Sequence, residues 1–187
     1  MPRKTLTPRA DAALFDPRRP VVPLSQGGLT YAVFEVDADG NPVGEPMHAP
    51  NLIPTEGLNH MLDVALHGGI QIPTWYVVLF EGDYTPTFDI TAATFPQLAG
   101  ECTTYQGAGR LEFKESAPVA GAMSNAANLS TFTSTADKTI YGAALVSAPN
   151  KGATVGKILS IARFPQPYAF ATGKQIAVLA TPTLVSA

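Results

Sequence analysis

The stretch STFTSTADKTIYGAALVSAPNKGATVGKILSIARFPQPYAFATGKQIAVLATPTL, residues 130–184, decides the fold class. It contains four runs of strand length, 130–136, 138–148, 155–164 and 174–184, that are rich in β-branched and apolar residues. Short segments with Pro, Gly, Asn or Asp separate these runs, and PQPYAFATG predicts the loop before the last one. Short strands at this spacing predict a β-sandwich or jelly roll.

Three earlier runs extend the β pattern toward the N-terminus. LTYAVFEV (29–36) and PVGEPMHA (42–49) flank the turn sequence DADGN and predict a hairpin. We expect its second strand to lie at a sheet edge, because Pro46 has no N–H to donate to a ladder. TWYVVLF (74–80) is apolar throughout, so it predicts a central strand that is covered on both faces.

An eighth strand is predicted at GRLEFKE, residues 109–115, where polarity alternates. Leu111 and Phe113 are expected to face the core and Arg110 to face solvent. The preceding stretch DITAATFPQLAGECTTY, residues 89–105, is ambiguous and is consistent with a helical turn in a long loop.

One segment, TEGLNHMLDVALHGG, has the period of an amphipathic helix. Thr55 can cap its start, and Gly68 and Gly69 end it. The apolar face that we expect to pack on the sheet consists of Leu58, Met61, Leu62, Ala65 and Leu66.

The N-terminal segment 1–28 differs from the rest of the chain in proline content and charge. Nine of the 17 prolines fall between positions 1 and 54, a density that excludes helix there. Residues 1–20 have five basic and two acidic side chains, a net charge of +3. Because the whole chain has a net charge of −3, residues 21–187 carry −6. The sequence therefore predicts an extended N-terminal arm, residues 1–28, and a mainly β domain, residues 29–187. The alternative for the arm is a terminal tail without a partner.

Composition excludes several classes of partner. Charged residues make up 14% of the chain, below the roughly 25% of typical soluble domains, so we expect a neutral surface covered by other subunits. A compact extracellular β-domain is the alternative. The net charge of −3 gives no basis for binding nucleic acid. Because Cys102 is the single cysteine and no run suits a signal peptide or membrane span, we expect assembly in the cytoplasm and no membrane contact.

Motifs for catalysis or for cofactor binding are not found in the sequence. His48, His60 and His67 lack the one-turn spacing of a zinc site on a helix. The run DADGN fails as a calcium loop, because Pro42 stands where the glycine is needed. Cys102 has an acidic neighbour and no basic one, which argues against a reactive thiolate. We therefore expect no enzyme activity, no cofactor and no metal.

A resemblance adds to this interpretation. The runs Asn51-Leu52-Ile53, Glu56-Gly57-Leu58, Leu62–Leu66 with Gly68-Gly69, and Trp75–Phe80 resemble a segment of small virion proteins of tailed bacteriophages. The C-terminal pattern of Ile158-Leu159-Ser160, Phe164, Gly173, Ile176 and Val178 is also similar.

The resemblance implies a jelly-roll or related β-sandwich and a structural role in a virion, as a capsid decoration or cement protein. The expected partners are the major capsid protein and copies of the chain itself, in a homo-oligomer. For the arm, we expect apolar anchors and basic side chains that meet acidic groups of a partner: Leu14 and Phe15, and Arg3, Lys4, Arg9, Arg18 and Arg19.

Two alternatives stay open at the level of sequence. The first is a tail or fibre component of the same virion, which is also structural. The second is a carbohydrate-binding or hydrolytic β-sandwich that uses Trp75, Tyr84 and the nearby acids Glu81 and Asp83.

Overall fold

A computed structural model describes residues 29–183, which form two four-stranded antiparallel sheets and one α-helix. The elements are β1 Leu29–Val36, β2 Pro42–Pro50, α1 Thr55–Leu66, β3 Tyr76–Phe80, a π-helical turn Pro96–Gly100, β4 Leu111–Glu112, β5 Ser130–Thr133, β6 Lys138–Val146, β7 Ile158–Phe170 and β8 Gln175–Pro182. The strand orders are β2-β1-β8-β5 and β4-β3-β6-β7. The mainly β fold is confirmed, with a sandwich arrangement and one short helix, whereas the jelly-roll topology stays a prediction.

The main core lies between the two sheets, and the strand alternation explains how it is filled. In β3, Val77 and Leu79 point into this core, whereas Val78 and Phe80 point into a second apolar cluster on the other face. All four side chains are fully buried. The prediction of a central strand covered on both faces is therefore confirmed.

A buried hydrogen bond joins the two sheets across the main core. The hydroxyl groups of Tyr31 in β1 and Ser160 in β7 lie 2.6 Å apart, and neither residue is exposed to solvent. Burial raises the pKa of Tyr31, so its hydroxyl stays neutral. This contact fixes how the first sheet lies over the second, because an unpaired buried hydroxyl is costly.

Asn125 connects the long segment between β4 and β5 to the centre of the first sheet. Its side-chain amide donates to the carbonyl of Val178 at 3.0 Å, and its carbonyl accepts from the N–H of Ala180 at 2.8 Å. The side chain thus supplies to β8 the pair of hydrogen bonds that a neighbouring strand would supply. Asn125 is completely buried.

Five of the six prolines within the described strands lie on edge strands, and the sixth, Pro182, is the last residue of β8. β2 is an edge of the first sheet, as Pro46 predicted. β7 is an edge of the second sheet and continues through Pro165 and Pro167 to Phe170, so the predicted loop before the last strand is wrong over most of its length. The register between β6 and β7 shifts at these prolines, which places them in a bulge where no ladder N–H is needed.

The hairpin turn between β1 and β2 is built on Asp37. Its carboxylate accepts from the backbone N–H groups of Asp39 and Asn41 at 3.0 and 2.8 Å, and Gly40 takes a positive φ of 84°. These hydrogen bonds, chiefly the one from Asn41, lower the pKa of Asp37. The interpretation of DADGN as a hairpin turn is confirmed.

Candidate functional site

The helix α1 docks on β7 through a glycine. Gly57 is buried, and a Cβ atom at this position would collide with the backbone carbonyl of Leu159 and lie 3.0 Å from that of Ile158. Only a residue without a side chain allows the two backbones to approach so closely. Gly57 therefore sets both the distance and the rotation of the helix.

The side chain of Glu56 also fixes the first turn of α1. Its carboxylate accepts from the backbone N–H groups of Ala92 and Ile158, at 2.9 and 2.8 Å, and the ammonium of Lys157 lies 3.8 Å away. Pro54 occupies the N-cap position, so the predicted capping by Thr55 is wrong. The helix begins where long-range contacts place it, and Gly68, with a φ of 76°, follows its end as expected.

The predicted inner face of α1 is partly wrong. Leu58 and Met61 are half-buried as expected, but Leu62 and Leu66 are 58% and 82% exposed. Gly57, Met61 and Val64 form the inward row instead, a rotation of roughly 100°, one residue step of a helix. The close approach at Gly57 determines this rotation, and side-chain hydrophobicity alone does not reveal it.

The outward rotation leaves a row of large apolar side chains in solvent. Leu62 and Leu66 are neighbours on the same helix face, because they are four residues apart. Ile70, beyond the end of the helix, is also exposed, at 91%. We call Leu62 and Leu66 the apolar ridge.

An apolar groove lies between the C-terminal half of α1 and the end of the sandwich, and neither ridge leucine lines it. Its volume is about 400 Å³, and few polar atoms line it. His60 packs on Trp75 at one wall, with the ring centroids 5.6 Å apart. The side chains that define the apolar groove are Leu29, Met61, Val64, Trp75, Leu159 and Pro182.

The histidines do not come together. His48 and His67 are exposed on β2 and just beyond α1, and His60 lies against Trp75. Within residues 29–183, no group of three His, Cys, Asp or Glu side chains could hold a metal ion. In the same range, no helix combines the length and the apolar character needed to cross a bilayer.

The thiol and the acids considered for chemistry all have structural contacts. Cys102 is fully buried, and burial raises the pKa of its thiol, which disfavours the nucleophilic thiolate. Glu81 pairs with Lys138 at 3.0 Å. Asp83 forms an ion pair with Arg163. The two acids are thus held by separate cations.

Trp75 and Tyr84, the aromatic residues of the carbohydrate alternative, lie on different sides of the second sheet. Trp75 packs against the main core, whereas Tyr84 packs against the second cluster and bonds the hydroxyl of Thr87 at 2.8 Å. They do not form one stacking platform. This placement removes the geometric basis of a sugar site shared by the two rings.

Comparison with known proteins gives no match: the sequence fits no protein family, and no characterised protein is similar to it at a significant level.

The predicted arm residues lie outside the described part of the chain. They belong to residues 1–28, so their roles stay predictions: Arg3, Lys4, Arg9, Leu14, Phe15, Arg18 and Arg19.

A buried ion pair was missed by the sequence pattern. Arg110 was expected on a solvated face, but its side chain and that of Glu101 are each 1% exposed and form a two-pronged pair, with Nε–Oε1 and Nη2–Oε2 distances of 2.9 and 2.6 Å. Arg110 also donates to the carbonyls of Ala148 and Ala153, and Glu101 accepts from the N–H of Gly152. The pair ties the loop after β6 to the segment before β4.

Lys151 plays a related structural role that the sequence did not signal. Its ammonium donates to the carbonyls of Thr103, Tyr105 and Gly107, and lies 3.6 Å from the centre of the Tyr105 ring. Desolvation lowers the pKa of this lysine. A single side chain thereby holds the turn 103–107.

Proposed function

We propose that the protein is a non-enzymatic structural component of a tailed-bacteriophage virion, a capsid decoration or cement protein that bridges subunits of the shell. Its partners are the major capsid protein and further copies of itself in a homo-oligomer, and its place is the virion, after assembly in the host cytoplasm. The apolar ridge is the observation that carries this proposal.

Single exposed apolar side chains are common on protein surfaces, and Val43, Phe88 and Val119 are examples here. The ridge differs because Leu62 and Leu66 are neighbours on one exposed face of α1 and line the same open surface pocket. Neighbouring exposed apolar groups of this kind mark protein contacts. We therefore propose that the face of α1 that carries the ridge contacts another subunit.

Charge supports the same proposal. The chain is poor in charged residues, and segment 1–20 carries +3 against −6 on segment 21–187. An arm of opposite charge to the body adds a second contact at a distance, which increases the avidity of a bridging protein without enlarging the main interface.

We expect Leu66→Glu to weaken binding of the chain to particles of the phage that encodes it by at least about tenfold. Burial of a leucine contributes about 1.5–3 kcal/mol, and 1.4 kcal/mol is a factor of ten. Leu98→Glu is the matched control, since Leu98 is 56% exposed on the π-helical turn, away from the ridge. Quantitative binding to undecorated particles measures the difference. Equal affinity of the two variants would contradict the role of the ridge.

Deletion of residues 1–20 tests the arm. We expect the β-domain to stay folded, as judged by circular dichroism, and attachment to the particles to weaken. Full-length protein should dissociate more readily as salt rises, whereas the truncated protein shows a flatter dependence, because the deleted residues carry the net positive charge. Equal occupancy by both forms across the salt series rejects the arm's role.

Electron microscopy of the particles distinguishes the capsid from the tail or fibre alternative.

A further inference from the structure

We propose that the turn 103–107 is a binding site for a monovalent cation of the size of an ammonium group, and that Lys151 is the tethered cation that fills it. The ligand class is that of K⁺, NH₄⁺ and small alkylammonium ions. The residues of this site differ from those that form the apolar ridge and the apolar groove, so the site does not depend on the proposed function.

Three backbone carbonyl groups of the turn converge on one point. The ammonium nitrogen of Lys151 lies 3.2, 2.6 and 2.7 Å from the carbonyl oxygens of Thr103, Tyr105 and Gly107. The same nitrogen lies 3.6 Å from the centre of the Tyr105 ring, whose face attracts cations. An ammonium group has three protons to donate, and each has one carbonyl acceptor here.

The chemistry of these groups selects the charge and the size of the ion. The three carbonyl oxygens and the aromatic ring are all neutral. Carbonyl oxygens replace the hydration shell of K⁺ in selectivity filters, whereas Ca²⁺ and Mg²⁺ sites draw on carboxylates. K⁺ and NH₄⁺ are similar in size, so a set of oxygens that fits the ammonium group of Lys151 also fits K⁺.

The turn is held in place by hydrogen bonds that do not involve Lys151. The N–H of Gln106 donates to the carbonyl of Thr133 at 2.9 Å, and the carbonyl of Thr104 accepts from the N–H of Thr135 at 3.0 Å. The carbonyl of Thr104 thus points toward the end of β5, and those of the residues on either side of it point toward Lys151. Removal of the lysine side chain should therefore leave the three carbonyl groups in place.

The loop that carries Lys151 is anchored independently as well. The backbone N–H of Arg110 donates to the carbonyl of Pro149 at 2.7 Å, and its guanidinium donates to those of Ala148 and Ala153. Each of the two segments thus supplies a cation to the carbonyl groups of the other. Because Arg110 is still present in a variant of Lys151, the segments should stay together and the site should keep its shape.

The site is accessible to a free ion once the ammonium group is removed. Lys151 is half-buried, so one side of the site faces solvent. In the wild-type protein the tethered ammonium group has a high effective concentration and excludes free ions. We therefore expect free K⁺ to bind only when this group is absent.

Lys151→Ala tests the site, because it removes the ammonium group together with most of the side chain. We expect its melting temperature to be higher in KCl or NH₄Cl than in choline chloride of the same concentration, since choline has no N–H and is too large to enter. A free ion at about ten times its dissociation constant raises the folding equilibrium constant about elevenfold. The wild-type protein should melt at the same temperature in all three salts.

Two variants serve as controls. Lys174→Ala is matched to the test variant, but the ammonium group that it removes pairs with the single carboxylate of Glu35 at 2.7 Å. Lys151→Met removes the charge and keeps the stem of the side chain, which blocks the site. We expect both controls to melt at the same temperature in KCl and in choline chloride.

Two results would overturn the proposal. The first is an equal melting temperature of Lys151→Ala in KCl and in choline chloride. Where this variant does not fold in choline chloride, the equivalent result is that KCl restores none of its β-sheet circular dichroism. The second is an equal gain in KCl for Lys174→Ala or Lys151→Met, which would show a general effect of the salt.

Discussion

Arg110→Met is expected to lower the free energy of unfolding by about 3–5 kcal/mol, the range for removing one partner of a buried ion pair. Among residues 29–183, the substitution leaves the carboxylate of Glu101, which is 1% exposed, with the N–H of Gly152 as its one remaining hydrogen-bond donor. It also removes the donor to the carbonyls of Ala148 and Ala153. Urea denaturation of the isolated subunit measures the loss.

The double variant Glu101→Met, Arg110→Met is the control. It removes both charges together, so its loss should be smaller than the sum of the two single losses, and the difference is the coupling between the side chains. A loss below about 1 kcal/mol for Arg110→Met alone would show that the pair is hydrated in solution, contrary to the burial seen here.

Gly57→Ala is expected to destabilise the protein by about 1–3 kcal/mol, the cost of overpacking a well-packed contact. Helix propensity predicts the opposite sign, because alanine favours a helix over glycine by about 1 kcal/mol. The added Cβ would collide with the carbonyl of Leu159, so the tertiary contact should win. Thermal and urea unfolding both measure whether Gly57→Ala lowers or raises the stability of the protein.

Leu62→Ala is the matched control on the same helix. Leu62 is 58% exposed, so the loss should stay below about 0.5 kcal/mol. A gain in stability for Gly57→Ala, or a loss of several kcal/mol for Leu62→Ala, would mean that the helix packs through its leucine face after all.

The strands were predictable because their signals are local. Apolar and β-branched runs bounded by turn residues locate seven of the eight, alternating polarity locates β4, and DADGN gives the hairpin turn. The edge position of β2 followed from one missing N–H at Pro46. Each of these inferences depends on a few consecutive residues, which is the scale that a single sequence describes well.

The structural features that the sequence could not predict depend on residues far away along the chain. The rotation of α1 follows from the backbone of Leu159, about a hundred residues beyond Gly57. The burial of Arg110 depends on the carbonyls of Ala148 and Ala153, about forty residues further along the chain, as well as on Glu101, and alternation alone placed Arg110 in solvent. The course of β7 through its prolines depends on its position at the sheet edge, which strand composition does not reveal.

The edges of the two sheets affect how the protein behaves at high concentration. An open sheet edge can recruit a strand from a neighbouring molecule and start fibril growth, and proline, bulges and short strands oppose this. Here β2 carries Pro42, Pro46 and Pro50, β4 is two residues long, and β7 bulges at its two prolines. Three of the four sheet edges thus resist backbone pairing, which protects the described domain against edge-to-edge aggregation at high concentration.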